Sequence, residues 1–140
     1  MLKRTPLVVS LTDNQIKQFD LQRDLRIDRS DLDRELARQP VLYNNWSEFY
    51  AVVSAKVARL REELEHLEAQ LHSQYNDSKT ITERKHRILL NPLYRKKLKR
   101  LRHWEDAERY LHFAEKSFAQ RLSALMCINS NQRRERQNLE

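Results

Sequence analysis

Between residues 43 and 71 the apolar side chains Tyr43, Trp46, Tyr50, Val53, Val57, Leu60, Leu64, Leu67 and Leu71 fall at alternating spacings of three and four. That 3.5-residue repeat, held for about four heptads, is the pattern of a coiled-coil seam. A helix obeying it from Pro40 to Gln74 is roughly 50 Å long at 1.5 Å per residue. Its other positions are mostly charged, among them Arg59, Arg61, Glu62, Glu63, Glu65 and Glu68. A stripe this long needs a partner helix. The expected partner runs over residues 92–129, where Trp104, Leu111, Phe118 and Leu125 recur every seven residues, flanked by Leu101, Ala107, Ala114, Leu122 and Ile128. The two seams meet either as an antiparallel helical hairpin within one chain or between several subunits.

Composition narrows the fold class further. None of the 140 residues is glycine, the residue of choice wherever the backbone needs positive φ. That argues against tight β-hairpins and against the glycine loops of Walker A ATPases and dinucleotide-binding folds. The bulk consists of strong helix formers, with 34% charged residues and a mean hydropathy of -0.88. The expectation is an all-α chain of two long amphipathic helices plus short N-terminal ones. The single Cys127 provides no internal disulfide, which fits a reducing, cytoplasmic compartment. No apolar run is long enough to span a membrane, and the apolar stretch after Lys3 and Arg4 is too short for a signal peptide.

Punctuation residues divide the rest. Residues 1–11 are expected to be extended or disordered. Thr12 or Asp13 is placed to cap a short helix over 13–22 carrying Ile16, Phe19 and Leu21. Ser30 is placed to cap another over 30–38, with acids in its first turn. That helix should end before Pro40, since a residue preceding proline is pushed from the α region, and Pro40 then suits the first turn of the long helix. Asn76, Asp77 and Ser78 mark a loop over 75–80. Thr80 or Thr82 caps a helix over 82–90, and Asn91-Pro92 breaks it. Residues 130–140 form a polar tail expected to fray. Residues 12–129 are thus read as one helical domain.

Charge is unevenly spread. The chain holds 27 Lys and Arg against 20 Asp and Glu, a net +7. Residues 1–75 carry 11 basic and 12 acidic residues, and residues 76–140 carry 16 and 8. Within 84–102 lie nine cations and no acid: Arg84, Lys85, Arg87, Arg95, Lys96, Lys97, Lys99, Arg100 and Arg102. A solvated helix face usually mixes signs for i,i+4 pairing. A block of one sign is the footprint of nucleic acid or another polyanion. On a helix, Arg95, Lys99 and Arg102 form one stripe and Lys96, Arg100 and His103 the next. Single-strand binding usually adds aromatic platforms, and Tyr94 is the nearest candidate for one; its alternative place is in the core. Nothing in the block reads base edges, so binding should be sequence-tolerant and salt-sensitive.

Enzyme chemistry finds little support. His66, His72, His86, His103 and His112 form no metal-ligand pattern, no carboxylate pair is singled out, and a helical seam offers no water-excluding pocket. The expectation is no metal, no cofactor and no catalysis. A structural coiled-coil adaptor docking an acidic protein, and a protein that bends duplex DNA, remain as alternatives to single-strand binding.

Several segments together resemble one family. Asp24-Leu25-Arg26-Ile27-Asp28, Leu32, Glu35 and Leu42-Tyr43-Asn44-Asn45-Trp46 are similar to the D-x-x-I-D, L-x-x-E and L-Y-x-x-W elements of phage recombination mediators of the UvsY family. Lys79-Thr80-Ile81-Thr82-Glu83, Asn91-Pro92-Leu93-Tyr94 and residues 118–135, with Arg121, Leu125, Ile128, Arg133 and Glu135, resemble its later elements. The resemblance covers residues 23–135. It implies a non-enzymatic, all-helical protein that binds single-stranded DNA, a RecA-like recombinase and a single-stranded DNA-binding protein. Such a protein loads the recombinase onto covered strands in recombination, replication and repair. It also implies a ring-like homo-oligomer, a hexamer or heptamer, in a host cytoplasm. Assembly would run through the C-terminal region, here Trp104, Leu111, Phe118, Leu122, Leu125 and Ile128. The family's Lys and Arg near the end of the first long helix are replaced here by Ala69 and Leu71, followed by His72. The nine cations of residues 84–102 are then expected to take the DNA contact, and Asp24, Asp28, Asp31 and Asp33 are candidates for a protein-partner surface.

Overall fold

The computed structural model describes the backbone of residues 7–12 and 15–140 and the side chains of residues 20–140. Its elements are β1 (Leu7–Thr12), β2 (Gln15–Phe19), α1 (Leu21–Leu25), α2 (Leu32–Gln74), α3 (Ile81–Leu90) and α4 (Pro92–Asn138). The chain divides into two compact units, the first comprising residues 1–49 and 111–140 and the second residues 50–110.

The first unit begins with a β-hairpin, not with a helix over 13–22. Strands β1 and β2 pair antiparallel from Leu7 opposite Phe19 to Thr12 opposite Gln15, with an irregularity between Ser10 and Thr12. The expectation that a glycine-free chain avoids tight hairpins fails here. The β-branched Val8, Val9 and Ile16 favour strand. Met1–Pro6 and the proposed cap Asp13 lie outside the described residues. Helix α1 follows, with the Asp20 carboxylate accepting from the Arg23 backbone N–H at 3.0 Å.

Helix α2 is one element where two were expected. It starts at Leu32, so the cap is Asp31, whose side chain accepts from the Arg34 N–H at 3.2 Å. Ser30 instead bonds back to Asp28, through N–H at 2.9 Å and Oγ at 2.6 Å. Pro40 lies exposed within the helix. An interior proline costs about 3 kcal/mol in an isolated helix. Its neighbour explains the tolerance. Gln39 is buried, donates from Nε2 to the Phe118 carbonyl at 2.8 Å, and accepts from Arg121 Nη1 at 2.6 Å. Tertiary bonding holds the segment helical against local preference.

The core of this unit is Leu32, Leu42, Trp46 and Phe49 from α2 with Leu111, Ala114, Phe118 and Leu125 from α4. The Trp46 and Phe118 rings lie 5.6 Å apart at 38°. Within the unit α2 and α4 run antiparallel, since Glu35 meets Arg121 while Tyr43 donates to Glu115 at 3.2 Å. The core also holds four polar residues, Asp24, Glu35, Gln39 and Arg121. Arg121, 1% exposed at its side chain, is ion-paired to Glu35 and donates to the carbonyls of Leu25 at 3.3 Å and Arg26 at 3.1 Å. Trp46 Nε1 donates to Asp24 Oδ2 at 3.0 Å. These bonds fasten the α1 segment to the helical pair. Asp24 is therefore an internal acceptor, not a partner-facing acid. Helix α4 continues to Asn138, so residues 130–138 are helical instead of a frayed tail.

In the second unit, residues 50–74 of α2 pair antiparallel with residues 92–110 of α4. Ser54 donates to Glu108 at 3.2 Å, Arg61 to Glu105 at 3.3 Å, and Lys97 pairs with Glu63 at 3.5 Å. Val53, Val57, Leu60, Leu64, Leu67 and Leu71 are buried in this unit, as are Ile88, Tyr94 and Leu101. The repeat does not run unbroken along α2. Buried positions step by three and four through 42, 46 and 49, then by four twice, 49 to 53 to 57, before the expected frame resumes. Two successive fours form a stutter, which shifts the buried face by one position. Tyr43 is therefore 39% exposed and Tyr50 half-buried, with Leu42 and Phe49 in their places.

The link from α2 to α4 is held by side chains. Thr80 caps α3 by accepting from the Glu83 N–H at 3.0 Å. Asn91 ends α3 and starts α4, its Oδ1 accepting from the N–H groups of Leu93 at 3.0 Å and Tyr94 at 3.2 Å. Its Nδ2 donates to the Tyr75 hydroxyl at 3.0 Å.

Candidate nucleic-acid interface

The nine cations of residues 84–102 fall on α3 and the first three turns of α4, all in the second unit. Three have structural partners. Arg84 Nε donates to the Tyr75 carbonyl at 3.2 Å. Arg87 stacks 4.3 Å over the Tyr75 ring and pairs with Asp77 at 2.8 Å. That hydrogen bond holds the Asp77 carboxyl below its ordinary pKa. Lys97 pairs with Glu63. The other six, Lys85, Arg95, Lys96, Lys99, Arg100 and Arg102, are exposed, and among the described residues none has an acid within ion-pair distance. Four of these, Arg95, Lys96, Lys99 and Arg102, surround an open groove of about 510 Å³ whose remaining lining is Leu89 and Leu98.

Holding these charges there is locally unfavourable. The first turn of α4 contains no acid, although a helix N-terminus favours negative charge. Arg95 and Lys99, and Lys96 and Arg100, are like-charge i,i+4 pairs, each destabilising by about 0.2–0.5 kcal/mol. Burial of Tyr94 and Leu101 keeps the segment helical nonetheless. Local rules are most often broken at functional sites, which makes these exposed cations candidates for a ligand contact.

Tyr94 supplies no stacking platform. It is buried, and burial raises its hydroxyl pKa above the ordinary value. Tyr75 is already covered by Arg87. The groove surface is aliphatic instead, a feature hidden from sequence reasoning because Leu89 and Leu98 sit on different helices. At the end of α2, Leu71 is buried in the core and Ala69 is exposed, while His72 lies 3.9 Å from Glu68. The helix end where the resemblance places two cations carries none here.

The residues expected to drive assembly separate into two groups. Leu111, Phe118 and Leu125 are 1%, 0% and 0% exposed. Their side chains form the core of their own chain and are not available to another. Trp104 is half-buried with Lys56 Nζ 5.7 Å from its ring centre, and Ile128 is half-buried. Leu122 is 42% exposed. Three of the six residues to which the resemblance gives an assembly role are thus buried within the chain, while Met126, four residues beyond Leu122, is 62% exposed.

A smaller polar hollow, about 250 Å³, lies in the first unit between Arg29, Asp31, Asp33, Arg133 and Arg136. Its signs are mixed, unlike those of the groove. Among the described residues no cluster of His, Cys, Asp and Glu is arranged to hold a metal ion, and no helix is long and apolar enough to cross a membrane.

Comparison with known proteins agrees with the motifs. The family described as "Recombination, repair and ssDNA binding protein UvsY" matches residues 20–101. Two crystal structures of the bacteriophage T4 recombination mediator protein UvsY, in different lattices, share the fold. One superposes with a TM-score of 0.75 at 19% identity, covering 82% of this chain and 92% of the other. The second gives 0.73 at 18% identity, covering 82% and 95%. No curated protein matches the sequence.

Proposed function

The chain belongs to the UvsY family, and from that premise we propose that it is a recombination mediator that binds single-stranded DNA through the basic face of the second unit. The single observation carrying the site is the ring of four uncompensated cations, Arg95, Lys96, Lys99 and Arg102, around one groove. Phosphates of an extended strand supply the counter-charge that the chain itself lacks. The groove presents no group positioned to read base edges, so recognition is through phosphate and is sequence-independent. Several copies in a ring-like homo-oligomer, six or seven, present several such grooves. Modest contacts then act together on one strand. A strand held in this way is open to a RecA-like recombinase, which the protein loads onto DNA covered by a single-stranded DNA-binding protein. Leu122 and Met126 are apolar side chains of the first unit available for contact between copies. The role is one of binding and handover, with no catalytic step.

The test is anisotropy titration of labelled single-stranded and duplex oligonucleotides over a salt series, with light scattering on the same sample. Replacing Arg95, Lys96, Lys99 and Arg102 together by Glu should lower single-strand affinity at least on the order of 100-fold near physiological salt. It should also flatten the slope of log K against log salt by about 3, at about 0.7 for each phosphate no longer neutralised. Unchanged affinity in an intact oligomer overturns the assignment. An oligomer that ignores both DNAs makes the basic face a docking surface for an acidic protein.

A further inference from the structure

The groove has an apolar part that phosphate binding does not explain. Leu89, from the last turn of α3, and Leu98, from the second turn of α4, line it between Arg95, Lys96, Lys99 and Arg102. Leu89 is 53% exposed, and its neighbours at the helix junction, Leu90 and Leu93, are 57% and 51% exposed. Leucines this exposed, beside the densest positive charge of a chain that is 34% charged, leave apolar area against water, which is unfavourable. A ligand for this groove therefore has two chemistries at close spacing, anionic groups for the cations and apolar surface for the leucines.

A single polynucleotide strand combines the two, because its unstacked bases expose their faces between successive phosphates. A duplex does not, because its bases are paired and stacked inside. Four cations alone serve both forms. We propose that Leu89 and Leu98 form a base-contacting shelf that makes the groove prefer single strands over duplex. The assignment rests on the strand-binding reading above and adds to it the residues that set strand preference. Aliphatic contact with a base face takes the place of the aromatic platform that Tyr94, buried, and Tyr75, covered by Arg87, do not provide.

Substitution at the exposed Leu89 tests the shelf in the full-length protein. Leu89→Gln keeps length and helix propensity and removes the apolar surface. It should weaken single-strand binding about fivefold, the lower end of a base-stacking contact, and leave duplex affinity and the salt slope unchanged. Leu89→Trp should tighten single-strand binding by a similar factor with duplex binding again unchanged, an outcome that a folding defect does not produce. An oligonucleotide of the same length with an abasic run should bind the parent protein and Leu89→Gln equally. If both variants keep the parent ratio of single-strand to duplex affinity, the shelf assignment is overturned, and the exposed leucines face an apolar protein partner instead. If the fourfold cation variant also retains full affinity, the strand-binding reading itself fails. Reduced affinity in the cation variant beside unchanged Leu89 variants removes the shelf alone.

Discussion

Arginine is used in opposite ways in the two units. In the first, Arg121 is almost wholly buried and each nitrogen of its guanidinium has an acceptor, among Glu35, Gln39 and the carbonyls of Leu25 and Arg26. In the second, Arg95, Arg100 and Arg102 stand exposed with neighbouring lysines, and among the described residues none forms an ion pair. The buried group is costly to desolvate and is retained with a full set of partners. The exposed groups cost little to solvate but repel one another. Removing a cation therefore has opposite consequences for stability in the two places. The first site specifies which segments meet, and the second leaves charge for a ligand.

The sharpest break of this contrast is at Arg121. Arg121→Ala takes its closest partner from buried Glu35, which keeps only Arg38 at 3.9 Å, and should cost about 3 kcal/mol, read by chemical denaturation. Pairing Arg121→Met with Glu35→Leu should recover much of that loss, since well-packed apolar residues often replace a buried ion pair at little cost. A loss under about 1 kcal/mol for Arg121→Ala would mean that the α1 segment is held by its apolar contacts alone. Trp46→Phe probes the same network more gently. It keeps most of the packing against Phe118 and removes the donor to Asp24 Oδ2. The expected loss is about 1–3 kcal/mol, the cost of leaving a buried acceptor unsatisfied. Trp46→Phe combined with Asp24→Asn should fall short of the sum of the two single effects, because the residues are coupled.

The contrast also marks what is legible in sequence. Net charge is a property of residues taken singly, so the one-sign run from Arg84 to Arg102 is visible without a fold. The seam from Val53 to Leu71 is visible for a related reason, because a heptad concerns one helix only. The buried polar network is not, because Glu35 and Arg121 are 86 positions apart and each alone reads as a surface charge. One signal is available: Glu35 and Gln39 occupy the three-and-four frame of Leu32, Leu42 and Trp46, and Arg121 that of Phe118 and Leu125. Polar residues on an apolar frame face one another or face a ligand. The continuation of α2 through Pro40 is hidden for the same reason, since the bonds that outweigh the local preference come from Phe118 and Arg121. The hairpin escapes a reading that weighs the absence of glycine above the β-branched Val8, Val9 and Ile16. The leucine shelf requires knowing that the end of α3 and the second turn of α4 border one groove.

The smallest effect carries the opposite sign. If the stripes of α4 are tolerated for a ligand, replacing part of them should stabilise the free protein. Lys96→Gln relieves the repulsion with Arg100, and Lys99→Gln that with Arg95, at about 0.2–0.5 kcal/mol per pair. Neither lysine has an ion-pair partner among the described residues, and Lys97, which pairs with Glu63, is left in place. The double variant should therefore gain about 0.5–1 kcal/mol in thermal or chemical denaturation at low salt. The gain should fade towards 1 M salt, where the screening length is about 3 Å. Single-strand affinity should fall in the same variant. Higher stability together with weaker affinity is the signature of charge placed for a ligand and not for the fold. A loss of stability at low salt would show the reverse, that these lysines answer acids within the assembly, and would make the second unit resemble the first.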